Sequence, residues 1–306
     1  MLATQPHRCS SLLRRVAAAA LAIALTLAPE ALTPPAAQAH VGIPMPAAFW
    51  GPFTAPAGQC VRTISHGTRR CFHQVLIAKR RCMDQQLRGA GCDQTALSAT
   101  VSAALAEVQN VVDAACLGGQ LTELKYSTFD EAESDVSRAC GDQTDIAIGL
   151  IYAPVVATGT FTPLSPQANA CLVRVSALSQ KFLEMALQLK GRAFDRISMI
   201  PVVSGARRIA LLDRADARIA NLKQKFADRV HRECPAFDTV YQRTADWFMA
   251  ALLPRTDCVV FATCIQSDVS CPLPICGNGI TEPGESCDDG NQIDTDACRN
   301  NCTRPQ

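Results

Sequence analysis

The sequence predicts an all-α fold: an irregular, disulfide-stapled helical bundle followed by a small, loop-rich, cysteine-rich C-terminal module. Apolar residues recur at helical intervals over most of residues 58–256. Hydrophobic residues make up 48% of the chain and aromatic residues only 5%, so the core must be built largely from Ala, Val, Leu and Ile. The 16 cysteines are far more than a reduced cytosolic protein carries, which favours disulfides.

Residues 1–39 have the pattern of a signal peptide. A mostly apolar run, 16–28, follows the basic residues Arg8, Arg14 and Arg15, and Ala37-Gln38-Ala39 is a small-x-small cleavage site. The run is shorter than the ~20 residues that span a bilayer, so we expect cleavage and no membrane span. The mature protein is then exported: secreted, periplasmic or attached to the cell surface.

Four segments are predicted after the signal peptide. Residues 40–57 are rich in Pro and Gly and predict an irregular leader. Residues 58–256 form the helical domain, either as one unit or as two sub-units, 58–156 and 166–256. A cysteine-rich linker, 257–275, leads to the C-terminal module, 276–306.

The first helix is predicted from Cys60 to Leu87, interrupted only at Gly67. Cys60, Cys71 and Cys82 share one face, because eleven residues make three helical turns to within about 20°. Successive members lie ~16.5 Å apart along the axis, beyond the ~7 Å Cα separation that a disulfide allows. We therefore expect each cysteine to bond to a neighbouring element, which staples this helix to two or more others.

The remaining apolar patterns complete a bundle of about six helices. Helices are expected over 97–116, from the capping box at 128–131 through Cys140, over 171–189, over 209–234, and from 237 to 254. Pro254 is expected to end the last helix, and a loop-like, cysteine-dense segment follows it. The apolar residues 146–156 include Gly149 and Pro154 and are compatible with a strand or an irregular buried segment, but periodicity does not decide between strand, helix and loop.

Fifteen cysteines remain once Cys9 is removed with the signal peptide. An odd number leaves one cysteine free or bonded to another chain, so we predict seven disulfides, about five of them in the helical domain. The sequence does not specify which cysteine is unpaired. The candidates are Cys60, Cys71, Cys82, Cys92, Cys116, Cys140, Cys171, Cys234, Cys258, Cys264, Cys271, Cys276, Cys287, Cys298 and Cys302.

A recognisable motif spans Cys276 to Cys302. It reads CGNGITEPGESCDDGN over 276–291, followed by Asp294, Asp296 and two more cysteines. This resembles the myxobacterial-type cysteine-rich repeat, C-G-N-G-x-x-E-P-G-E-x-C-D-D-G-N followed by G-D-G-C and x3-C. The resemblance implies a module found at the ends of exported and surface-attached proteins, with no enzymatic activity attached to it. Thr295-Asp296-Ala297 stands where the family pattern has Gly-Asp-Gly.

A module of this size is too small for an apolar core of its own, so its four cysteines are expected to form two disulfides. Three connectivities are open, and the spacing lacks the paired C-x2-C knuckles of a zinc site. Six carboxylates against one basic residue between 276 and 302 suggest weak calcium binding instead, since Ca²⁺ takes six to eight oxygen ligands in irregular geometry. The alternative is a solvated acidic loop. The candidate calcium ligands are Asp288, Asp289, Asn291, Asp294 and Asp296.

The rest of the sequence carries no common catalytic motif. It contains no H-E-x-x-H, G-x-S-x-G, S-x-x-K, P-loop, G-x-G-x-x-G or C-x-x-C motif. His66 and His73 lie two helical turns apart and could hold a metal together with a third ligand. Pairs of metal-binding histidines on a helix usually lie at i, i+4 or closer, so the spacing favours two ordinary polar residues. Four charged residues lie between the apolar positions of the pattern over 209–234 and are expected on a solvated helix face. They are Asp213, Arg214, Asp216 and Arg218.

A formal net charge of +1 and the lack of long runs of like charge argue against nucleic acid and anionic membranes as partners. We therefore expect a secreted or surface-associated, non-catalytic structural or binding protein, with no cofactor except possible calcium. Its partner would be extracellular or on a cell surface. The alternative is an exported enzyme of unknown chemistry, which a deep pocket with converging polar groups would favour.

Overall fold

The computed structural model describes residues 54–124, 126–156, 161–162, 164–199, 205–262, 286–287 and 299. Over these residues the fold is all-α, as predicted, with eight helices and no strand. The two helices beyond the expected six are short. The helices are α1 (Ala55–Leu87), α2 (Gln94–Ala115), α3 (Gly118–Glu123), α4 (Phe129–Val156), α5 (Pro166–Ser198), α6 (Gly205–Glu233), α7 (Phe237–Tyr241) and α8 (Ala245–Val260).

Four helices, α1, α4, α5 and α8, form the centre of the bundle, and each of them packs against the other three. Helix α2 lies against α1 and α4, and helix α6 lies against α5 and α8. One hydrophobic cluster contains buried residues from both 58–156 and 166–256, so the two segments contribute to a common core. Every central helix therefore buries more than one face.

Polar side chains fix the first turns of the helices. The hydroxyls of Thr54, Ser165 and Thr244 accept hydrogen bonds from the backbone N–H groups three residues ahead, at the starts of α1, α5 and α8. The Asp93 carboxylate does the same for α2. The predicted capping residue Thr128 accepts from the N–H of Glu131 at 3.2 Å, one residue before α4 begins.

Three disulfides staple α1 to its surroundings, as its cysteine spacing predicts. Cys60 bonds to Cys116 at the end of α2, Cys71 bonds to Cys140 in α4, and Cys82 bonds to Cys92 just before α2. A fourth disulfide joins Cys171 of α5 to Cys234, which follows α6. Cys258 and Cys287 are also disulfide-bonded.

Residues 146–156, for which the sequence leaves strand, helix and loop open, are helical. These residues continue α4, which the capping box was expected to carry only to Cys140. Ile146, Leu150 and Ile151 are buried, and a segment that is apolar on all sides has no periodicity to separate a buried helix from a strand. Tyr152 leaves helical geometry with φ −110° and ψ 15°, two residues before Pro154, and so places a kink in the helix.

Two predicted boundaries are also wrong. Helix α1 begins at Ala55, inside the predicted leader 40–57, because Pro56 lies in the first turn, where its missing N–H costs nothing. Helix α8 passes through Pro254 and ends at Val260, inside the predicted linker 257–275. Burial of nearly every side chain over 251–262 outweighs the ~3 kcal/mol cost of an interior proline.

The single helix predicted over 237–254 is two helices. Gln242 takes a left-handed conformation, with φ 52°, and ends the short α7. Thr244 then caps α8. Residues 276–285, 288–298 and 300–306 of the predicted C-terminal module lie outside the described residues, and so do all five candidate calcium ligands.

Candidate functional site

A buried polar network joins α1, α4 and α5. Its centre is the carboxylate of Asp84, to which Tyr152 Oη donates at 2.6 Å, Ser176 Oγ at 2.9 Å and Arg80 Nη1 at 2.6 Å. Burial first, and then the adjacent Asp84 carboxylate, raise the pKa of Tyr152 far above its ordinary range, so the phenol keeps its proton and acts as a donor. Because three donors occupy the carboxylate, the network fixes three helices at the Tyr152 kink.

A second buried cluster joins α5, α6 and α8. Lys190, whose side chain is 1% exposed, pairs with Asp257, which is 3% exposed, and with Asp216 at 3.0 Å. Burial alone would lower the pKa of Lys190, but these two carboxylates raise it above its ordinary value, so the amine stays charged. The prediction that Asp216 lies on a solvated face is therefore wrong, whereas Asp213, Arg214 and Arg218 are exposed as predicted.

A third ion pair joins α1 to α5. Arg69 Nη2 lies 2.8 Å from Asp195 Oδ1, and Arg69 Nε donates to the backbone carbonyl of Ser65. The guanidinium passes over Gly191, where a Cβ atom would lie 2.7 Å from Cζ of Arg69. A larger residue at 191 would displace the guanidinium from this position.

An open cleft of about 670 Å³ lies directly beside this ion pair. The α6 residues that line it share one face of the helix, since they are spaced i, i+3, i+4 and i+7. Met199, 47% exposed at the end of α5, gives the opposite wall an accessible apolar surface. The lining residues are Arg62, Asp195, Arg196, Met199, Arg207, Ala210, Leu211 and Arg214.

Four arginines thus surround one cleft: Arg62 from α1, Arg196 from α5, and Arg207 and Arg214 from α6. All four side chains are exposed. Among the described residues, no carboxylate lies within 4.0 Å of the guanidinium groups of Arg62, Arg196 or Arg214. The only lining carboxylate in this part of the chain, Asp195, is paired with Arg69, so the cleft has a strong local excess of positive charge on a chain of net charge +1.

Arg62 also lines a second cleft, a groove of about 360 Å³ between α1 and α2. Its α1 wall follows one helix face from Gln59 to Gln74 and presents side-chain amides, a hydroxyl and an imidazole. Arg70 on this wall pairs with Glu107 on α2 at 3.0 Å, which neutralises its charge. The opposite wall is largely apolar, with Ala104, Val108 and Val111 of α2, and the groove shares Arg62 with the basic cleft.

The two histidines singled out from the sequence do not converge on a metal. His66 lines the groove, whereas His73 Nδ1 lies 3.2 Å from Glu184 on α5. Over the described residues, no group of three His, Cys, Asp or Glu side chains is placed to hold a metal ion. The basic cleft was not predicted, because its arginines occupy ordinary polar positions on three helices that are distant in sequence.

The comparisons with known proteins concern the C-terminal part of the chain. Residues 256–303 match the family described as "Domain of unknown function (DUF4215)", which assigns this part to a cysteine-rich domain family. The chain matches no curated protein and no solved structure. The matched region begins inside α8, so the last residues of this buried helix, including Asp257, belong both to the bundle and to the family region.

None of the helices in the described part of the chain combines the length and apolarity needed to cross a membrane.

Proposed function

We propose that this chain is an exported, non-catalytic binding protein whose helical bundle holds the arginine-lined cleft open to an anionic ligand. The observation that carries the proposal is the position of Arg62, Arg196 and Arg214 around one cleft, where no carboxylate of the described residues lies within 4.0 Å of their guanidinium groups. These like charges repel one another, and an anion relieves this repulsion. The planar guanidinium binds carboxylate, sulfate or phosphate through two parallel hydrogen bonds.

The surrounding scaffold supports a binding role. The Lys190 cluster on α5 and the Arg69–Asp195 pair lie within two helical turns of Arg196 and fix α5 against α1, α6 and α8. The cleft is therefore built on rigid helices and not on loops, which lowers the cost of ordering the site when a ligand binds.

Export is the part of the proposal that rests on cysteine chemistry. Disulfides between core helices persist in oxidising compartments, and residues 1–39 have the pattern of a signal peptide. The match of 256–303 to a cysteine-rich family agrees with this setting. We propose further that 276–302 is a repeat of the myxobacterial type and that calcium binds it weakly; both proposals rest on the sequence alone.

The alternative, an exported enzyme, finds less support at this site. Asp195 would have to act as the general base, because it is the only carboxylate among the described residues that line the cleft. Its Oδ1 is already engaged by the Arg69 guanidinium at 2.8 Å, which leaves it poorly placed to accept a proton from a substrate. A binding role uses the arginines of the cleft without requiring such a group.

The test is calorimetric titration of the oxidised protein with citrate and with pyrophosphate at low salt. Each hydrogen bond to a charged group is worth ~1.5–3 kcal/mol, so Arg196→Ala with Arg214→Ala should weaken binding at least ~10-fold. The matched control is Arg81→Ala with Arg232→Ala, which removes two exposed arginines outside the cleft. Equal affinity in all three proteins would show that the cleft is not the anion site.

A further inference from the structure

The arginine-lined cleft has an apolar wall as well as basic groups. In chain order, its α6 side carries Arg207, Ala210, Leu211 and Arg214. The two apolar side chains thus lie between two arginines that are ~10.5 Å apart along the helix axis. Leu211 is half-buried and packs against the hydrophobic core, which fixes its position in the wall.

Met199, at the end of α5, adds accessible apolar surface to the same cleft. Among the described residues, the exposed large hydrophobic side chains are Leu117, Met185 and Met199, and of these Met199 lines the cleft. A methionine side chain is flexible and polarisable, so it adapts to the shape of a hydrocarbon group. Because covering such a side chain in a concave site removes apolar surface from water, a ligand with a hydrocarbon part gains affinity there.

We infer that the ligand is an amphiphilic organic anion, whose acidic group is held among Arg62, Arg196 and Arg214 and whose hydrocarbon part lies against Met199 and Leu211. This inference rests on the proposed function and adds the ligand class to it. The cleft volume of about 670 Å³ falls in the ~300–1,000 Å³ range of sites that bind small organic molecules. A single sulfate or carboxylate group fills only a small part of such a volume.

Ligands with only one of these two properties suit the cleft less well. A wholly polar polyanion would place charged groups against Met199 and Leu211, and removing polar groups from water without hydrogen-bond partners costs free energy. A neutral apolar ligand would displace water from the arginines without supplying counter-charge. An amphiphilic anion matches the basic groups with its acid and the apolar wall with its hydrocarbon part.

The experiment is calorimetric titration of the oxidised protein with monoalkyl phosphates from ethyl to octyl phosphate, below the concentrations at which they form micelles. Complete burial of one methylene group tightens binding ~4-fold. Since the cleft is open and covers only part of the chain, we expect affinity to rise at least ~10-fold from ethyl to octyl phosphate. The acidic group is the same throughout the series, so the rise measures the hydrocarbon part alone.

Three variants locate the effect. Met199→Gln replaces the exposed apolar side chain by a polar one of similar size, and it should weaken octyl phosphate binding several-fold while leaving ethyl phosphate binding unchanged. Met185→Gln is the matched control, because Met185 is an exposed methionine of α5 that is not among the lining residues. Arg196→Ala with Arg214→Ala should weaken the binding of both phosphates. Far-UV circular dichroism with thermal melting checks the fold of each protein.

The outcomes separate this inference from the function on which it rests. If citrate, pyrophosphate and ethyl phosphate bind in an Arg196- and Arg214-dependent way but chain length adds nothing, the anion site stands and the amphiphile inference is wrong. A chain-length effect that Met199→Gln leaves intact would also overturn the inference, because the hydrocarbon part would then bind elsewhere. If none of these anions binds, the proposed function itself fails.

A lipid bilayer is a second source of the same chemistry, and co-sedimentation with vesicles tests it. Vesicles of phosphatidylcholine with phosphatidylglycerol should sediment no more protein than neutral phosphatidylcholine vesicles do, because a bilayer keeps its acyl chains away from Met199. Sedimentation that depends on Arg196 and Arg214 but not on Met199 would identify a membrane headgroup as the ligand and overturn the inference.

Discussion

Helices α1 and α5 are both 33 residues long and central to the bundle, yet they are held in place by different chemistry. Helix α1 carries three disulfides, at Cys60, Cys71 and Cys82. Helix α5 carries one disulfide, at Cys171, and the buried Lys190 ion cluster. Helix α1 is thus bonded covalently at three positions, whereas α5 has one covalent bond and a buried ion cluster.

The difference has a consequence for function. A disulfide stabilises mainly by restricting the unfolded chain, whereas a buried ion pair depends on both partners remaining in place. The arginine-lined cleft lies on the α5 side, where Asp195 both pairs with Arg69 and lines the cleft. Changes to the charged contacts of α5 should therefore affect both stability and the ligand site, whereas loss of the α1 disulfides should affect mainly stability.

The largest effect is expected from Lys190→Ala. The substitution leaves the carboxylates of Asp257 and Asp216 close together without the ammonium group between them. Breaking a buried ion pair on one side typically costs ~3–5 kcal/mol. Urea unfolding of the oxidised protein should show a loss of this size in the free energy of unfolding.

The control is Lys181→Ala, an exposed lysine on the same helix, for which we expect a change within about 0.5 kcal/mol. A second variant, Lys190→Met with Asp257→Leu, removes both members of the closest pair and should be less destabilised than Lys190→Ala. Equal stability of Lys190→Ala and the wild type would show that the cluster does not hold α5.

The next largest effect is expected from removing either of two α1 disulfides. The Cys71–Cys140 bond closes a sequence separation of 69 residues, and the Cys82–Cys92 bond closes one of 10. Chain-entropy estimates give ~4 kcal/mol for the long loop and ~3 kcal/mol for the short one. Replacing each pair by alanines and measuring urea unfolding should reproduce this order, and the reverse order would contradict the entropic account.

The sequence predicts the covalent half of this comparison better than the ionic half. Cysteines eleven residues apart must share a helix face, whatever the rest of the fold, so the lateral bonds of α1 follow from helix geometry. Lys190, Asp216 and Asp257 lie on three helices, and only the packing of those helices brings them together. Periodicity along one helix gives no sign of such a cluster, and it placed Asp216 on a solvated face.

The candidate site was missed for the same reason. Arg62, Arg196 and Arg214 belong to α1, α5 and α6, and each occupies a polar position of its own helix. Their meeting depends on how α1, α5 and α6 pack against one another. The apolar stripes predict that these helices exist but not how they cross.

The smallest effects are expected at two interior helix glycines, Gly67 of α1 and Gly191 of α5. Alanine at either position should gain up to ~1 kcal/mol of helix propensity. At position 67 the new Cβ would lie 3.4 Å from methyl groups of Val108 and Val111, an ordinary to slightly tight contact, so we expect Gly67→Ala to be neutral or stabilising. At position 191 it would collide with the Arg69 guanidinium and displace it from Asp195.

Gly191→Ala should therefore cost ~1–2 kcal/mol, since overpacking typically costs more than the gain in propensity. A double-mutant cycle with Arg69→Ala separates the two contributions. In the Arg69→Ala background the collision is absent, so Gly191→Ala should become neutral or stabilising, as Gly67→Ala is in the wild type. Urea unfolding of the four proteins measures the coupling, and a stabilising Gly191→Ala with Arg69 present would show that the position of the Arg69 guanidinium over Gly191 contributes nothing to stability.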